Sequence, residues 1–192
     1  MYPITHPAFR TLIEKSIPLE RLEKRLRPFN CSQAGFLGKD ESLLEVVYAD
    51  WKVVEEAGTT HEEIAELLGF CQPKSLSDSH QQEAIEAVNQ RLNNEYEFFL
   101  TGDLTNGFQK CPWPGCKNIR GITLGLLAKR GAIKPDESLH DLAEPEEVIT
   151  REMMIVTRLL PHLVGEHYFF EGRGTPYRAD PTFLINAFNL RK

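Results

Sequence analysis

The run CPWPGC at residues 111–116 and the run PHLVGEH at residues 161–167 decide how this chain is read. The first holds Cys111 and Cys116 on a turn rich in proline and glycine. The second holds His162 and His167 about one helical turn apart. Two thiolates and two imidazoles are the donor set of a tetrahedral zinc site. Pro112 and Pro114 restrict the backbone of the turn, and Gly115 frees it, so both sulfurs can converge on one ion. On an ideal helix His162 and His167 stand about 140° apart, so the helix must tighten or loosen locally, and Gly165 makes that easier. Closure by four protein ligands leaves no position for water, which makes the expected zinc structural, with no catalytic residues and no other cofactor.

The same residues have other readings. The cysteines are also consistent with two small buried side chains on a turn, and the histidines with surface or satisfied core positions. A three-ligand catalytic site, with Glu166 or Glu171 as general base, is the hydrolase alternative.

Over residues 109–120 and 158–170 the arrangement resembles the two-Cys/two-His zinc-finger family. That resemblance implies a strand-borne cysteine turn packed on a helix that carries two histidines. The family's short spacer is replaced here by 45 residues between Cys116 and His162. The helix positions that face bases in such a finger are apolar here (Leu159, Leu160, Leu163 and Val164), which suits packing better than groove contacts.

The rest of the chain sets the frame. At 192 residues, 41% of them hydrophobic and 26% charged, it can bury a sizeable core without staples. No apolar run has the length of a membrane-spanning helix, and the N-terminus lacks a basic start followed by an apolar stretch. Four cysteines are too few for a secreted disulfide scaffold, so the expected compartment is the reducing cytoplasm. The formal net charge of −6 argues against generic nucleic-acid binding by the molecule as a whole. Locally, Leu104–Pro135 carries Lys110, Lys117, Arg120, Lys129, Arg130 and Lys134 with no acid, and an acidic block follows from Asp136 to Glu147. Either the basic stretch is a contact surface, or the acidic block folds back and neutralises it.

Hydrophobic spacing and punctuation predict helices over Ala8–Lys15, Pro18–Leu26, Glu41–Ala57, Thr60–Gly69 and His80–Asn93. Pro28 stops the second, Gly58 closes the third, and Thr59 or Thr60 caps the fourth. From Glu95 the character changes: EYEFFL and ITLGLLA read as strands of a β-hairpin or small sheet. VITREMMIV is strand or helix. A helix starting near Thr157–Leu160, with Pro161 in its first turn, should carry both histidines and end by Gly172. A loop and a short amphipathic segment complete the chain. The expected fold is α+β: a helical part, residues 1–93, and a zinc-closed β-hairpin and helix part, residues 94–192. Phe98, Phe99, Phe108, Tyr168, Phe169 and Phe170 are expected around the metal.

Other features carry less. Cys31 and Cys71 are isolated and read as small core side chains. Arg173 and Arg178 in GRGTPYR either grip a carboxylate or phosphate, or tie the C-terminal tail to acidic residues. GTTHEEIAELLGF resembles the first helix and turn of a helix-turn-helix module over 57–92, which makes a DNA-binding regulator the second function reading. The segment after it is a poor recognition helix. The expected role is a non-enzymatic interaction module, with an unidentified protein or macromolecular partner and no membrane.

Overall fold

The computed structural model describes residues 17–72, 78–100, 108–121, 124–134, 137 and 152–192. In chain order the described elements are α1 (Leu19–Leu26), α2 (Leu43–Glu56), α3 (His61–Phe70), α4 (Asp78–Asn89), β1 (Tyr96–Leu100), β2 (Phe108–Lys110), β3 (Ile119–Gly121), β4 (Leu124–Lys129), β5 (Met153–Thr157), α5 (Leu160–His167) and α6 (Pro181–Ala187). The fold is α+β, as the sequence implies. The helix expected over Ala8–Lys15 lies outside the described residues.

Local chemistry sets the helix ends. Arg27, held extended before Pro28, stops α1. Thr60 caps α3 by accepting the Glu63 N–H at 3.1 Å, and Asp180 caps α6 by accepting the Thr182 and Phe183 N–H groups at 2.8 and 3.1 Å. Two ends depart from expectation. Helix α2 starts at Leu43 rather than Glu41, because the Glu41 carboxylate accepts the N–H groups of Gly38 and Gly174 at 2.7 and 3.2 Å. Helix α4 stops at Asn89 rather than Asn93. There the Asn89 amide holds the backbone of Phe98 on β1, and the Asn93 N–H turns away to Ala187 O at 2.7 Å.

The main sheet has the order β1-β4-β5, all antiparallel, with Phe98 opposite Leu127 and Leu127 opposite Met154. The described part of the ambiguous run therefore forms a strand from Met153. It lacks alternation because both faces are covered: every residue of β5 is buried. Leu127, Met154 and Val156 face one core, and Leu126, Ala128, Met153 and Ile155 face another. The two-stranded ladder β2-β3 is inserted between β1 and β4, with Gln109 opposite Arg120.

Three apolar clusters result. The largest joins α3, α4, α5 and α6 to one face of the sheet through Ile64, Leu68, Val88, Leu160, Val164 and Leu184. A second joins α1, α2 and α5 to the cysteine turn: Leu22, Leu26, Val46, Val47, Leu159 and Leu163 surround Cys111, Trp113 and Phe169. The aromatic expectation is corrected here. Tyr168 and Phe169 belong with the cysteines, whereas Phe98 and Phe170 face the largest core and Phe99 the outer sheet face. Consecutive residues of a strand point to opposite faces, so Phe98 and Phe99 divide between cores. The side chain of Phe108 lies outside the described residues.

Candidate metal centre

The cysteine turn is built by its own sequence. Cys111 leaves β2 with its N–H donated to Asn118 O at 2.9 Å, which closes the loop at its base. Trp113-Pro114-Gly115-Cys116 then forms a β-turn with the Cys116 N–H on Trp113 O at 3.1 Å. Proline at the second position and glycine at the third, at φ +82°, are the signature of a type II turn. A Cβ on Gly115 would meet nothing within 4 Å, so the backbone angle rather than space requires glycine there.

The imidazoles come from α5. Pro161 sits in its first turn, where a missing N–H costs nothing. The helix closes on Tyr168, held left-handed at φ 55°, with the Tyr168 N–H on Val164 O and the Phe169 N–H on Leu163 O, both at 3.1 Å. Without a glycine at this position, tertiary contacts hold the turn. The Tyr168 hydroxyl donates to Glu62 Oε1 at 2.8 Å, and its ring lies 4.8 Å from that of the buried His61. Burial, with Glu62 after it, pushes the Tyr168 phenol up to about 12.

Gly165 has a different role from the one expected. Residues 160–167 form an α-helix, and a Cβ at Gly165 would come within 3.1 Å of the Ala65 Cβ on α3. The glycine lets α3 and α5 approach. The 140° between the histidines is closed by the side chains, whose rings meet edge to face with centroids 4.9 Å apart.

The structure brings all four expected residues together. Cys111 Sγ lies 3.2 Å from His167 Nε2, and Cys116 Sγ lies 3.3 Å from His162 Nε2. All four donor atoms fall within 4.8 Å of one another. Tetrahedral zinc with sulfur and nitrogen bonds of the usual length has edges of roughly 3.3–3.8 Å, so the two Cys–His pairs are close to such an edge, and the donors, spread within 4.8 Å, would draw in slightly around an ion. Cys111 is fully buried, and the other three are half-buried. Desolvation, with the neighbouring Cys116 adding to it, pushes the Cys111 thiol up to about 12. A cation at the cluster would reverse that, because a coordinating thiol loses its proton. Trp113, not anticipated as part of the site, stacks on His167 at 4.2 Å with planes 10° apart, and its other neighbour is Phe169.

The general-base alternatives do not join this cluster. Glu171 is fully buried, accepts a bond from Thr175 Oγ1 at 3.4 Å, and is held well above the usual carboxylate range by desolvation. Cys71 is buried, donates to Leu67 O and is pushed up to about 12 by desolvation, as suits a core thiol. Cys31 packs against the same apolar cluster as Cys111 and Cys116. Arg178 ties the tail inward: it bonds both oxygens of the buried Asp50 at 2.9 and 2.5 Å.

The basic stretch divides in two. Lys129 pairs with Glu152, Arg130 with Glu97 and Lys134 with Glu137, whereas Lys110 and Lys117 stay exposed beside the cysteine turn. Among the described residues no helix is long and apolar enough to cross a membrane.

The chain matches no protein-family model, no curated protein and no solved structure. The site therefore rests on its own geometry: four Cys and His side chains, brought from distant parts of the sequence, form a possible metal site in an α+β fold.

Proposed function

We propose that Cys111, Cys116, His162 and His167 hold one zinc ion as a structural centre, and that the protein works in a reducing, cytoplasmic setting as a non-enzymatic interaction module. The observation that carries this reading is the convergence of four donor atoms to within 4.8 Å across a loop of dozens of residues. Soft sulfur and borderline nitrogen in a two-plus-two set favour zinc over hard cations. Four protein ligands complete a tetrahedron, so the ion would tie the cysteine turn to α5 rather than bind and activate water. Its binding energy would then feed folding, because the unfolded chain holds no assembled site.

Replacing one ligand tests this. Cys111→Ser should lose bound zinc and melt well below the parent protein, and a chelator should lower the parent's melting point toward that of the variant. A Cys111→Ser protein that melts with the parent would remove the structural role.

A further inference from the structure

The cysteine turn lies beside α1 and the loop that follows it. Arg25 Nε donates to Pro112 O at 2.6 Å, and Cys31 packs in the same apolar cluster as Cys116. Around these two contacts stand four exposed cations. Arg21 is one helical turn before Arg25, Lys24 is its neighbour, Lys110 is two residues before Pro112, and Lys117 follows Cys116 directly. The ion pairs among the described residues involve none of the four. The Glu23 carboxylate beside Lys24 accepts the Leu43 N–H at 2.7 Å.

Phe29 is the second observation. It is 84% exposed, the one large hydrophobic side chain so placed among the described residues. Its backbone is left-handed at φ 66°, an uncommon state for an aromatic residue. The loop holds it there by bonds from the Phe29 N–H to Ser32 O and from Asn30 Nδ2 to Arg27 O and Pro28 O. The chain thus strains its backbone to place an apolar ring in water, two residues from Cys31, which packs in the same cluster as Cys116.

We propose that this surface binds single-stranded nucleic acid, with the cations tracking phosphates and Phe29 stacking on a base. Cations combined with an exposed ring are the pairing that single strands use, since every base offers a π-face and every link a charge. An acidic protein segment would satisfy the lysines but leave Phe29 without a role. The overall charge of −6 does not oppose this, because short-range screening makes the local field decisive. The proposal names the partner of the module read above and rests on that reading only in so far as the ion holds the turn against α1.

The test is fluorescence anisotropy of the zinc-loaded full chain with labelled oligouridylate and oligothymidylate of about 12 nucleotides, a length within the site size of such surfaces. Binding is expected at low salt, with affinity falling steeply as salt rises. Phe29→Ala should weaken it about tenfold. Lys110→Gln with Lys117→Gln should flatten the salt slope by about 1.4, at 0.7 per phosphate contact on a single strand. These surface variants should keep the parent's zinc content and melting point. No anisotropy change at low salt by protein holding one equivalent of zinc overturns the interface and leaves the metal centre standing. Polyglutamate binding as well as the oligonucleotides, or an unaltered affinity in Phe29→Ala, also overturns it. Protein without zinc that binds in a Phe29-dependent way keeps the interface and removes the ion's role in holding the turn against α1.

Discussion

Arg178→Met should be among the most damaging single changes outside the metal cluster. The guanidinium, 12% exposed, bonds both oxygens of Asp50 on α2, which is 2% exposed, and also donates to Glu171 O at 2.5 Å. Removing it leaves a buried carboxylate without its counter-charge, which costs about 3–5 kcal/mol. For a chain of this size that is a fall in Tm of roughly 6–20 °C. The loss has a definite pH signature. Desolvation already raises Asp50 above the ordinary carboxylate value, and Arg178 opposes it through its hydrogen bonds and charge. Without Arg178 the folded-state pKa rises further. A raised folded-state pKa gives stability that is complete below the unfolded-state pKa and is lost as pH rises through the folded-state one. The deficit should therefore be largest at neutral pH and shrink in mild acid. Urea titrations of both proteins at the two conditions measure it. Asp50→Asn added to Arg178→Met should recover part of the loss, because the stranded charge is gone. A deficit under about 1 kcal/mol, or one that does not shrink on acidification, would refute the account of this pair.

Two further substitutions probe the scaffold. Gly115→Ala should cost about 1 kcal/mol through its positive φ alone, since the new methyl meets nothing within 4 Å; a normal urea midpoint together with unaltered zinc affinity would contradict the turn described. Glu171→Gln removes a carboxyl whose folded-state pKa stands well above the usual range because of desolvation. The parent should lose stability relative to this variant as pH rises above the ordinary carboxylate range, and stability curves that stay parallel from acid to alkaline pH would count against it.

What could be read from the sequence follows from what is local. The Thr60 cap, the stop at Pro28, the strand character of EYEFFL and each of the two ligand pairs, Cys111 with Cys116 and His162 with His167, depend on residues within a few positions of one another, and they appear where expected. The type II turn at Trp113–Cys116 was legible for the same reason, in its Pro-Gly pair. The remaining features come from partners distant in sequence. The insertion of β2-β3 between paired strands β1 and β4 has no local signature. Nor does the burial of β5 on both faces, which erases the alternation that would mark it as a strand. The packing role of Gly165 has no local signature either, because the Ala65 it meets is a hundred residues away. Trp113 could have been suspected as the ring beside the ligands, being the one large apolar residue inside CPWPGC. Phe29 was hidden because nothing in PFN announces an exposed side chain.

The account depends most on one ion joining the two halves of the site. X-ray absorption at the zinc edge, on freshly purified protein with its metal content measured, tests it directly. The expected result is one zinc per chain bound by two sulfurs at about 2.3 Å and two nitrogens at about 2.0 Å. Metal well below one equivalent in protein that nevertheless folds and melts normally would contradict it. So would a zinc shell without sulfur.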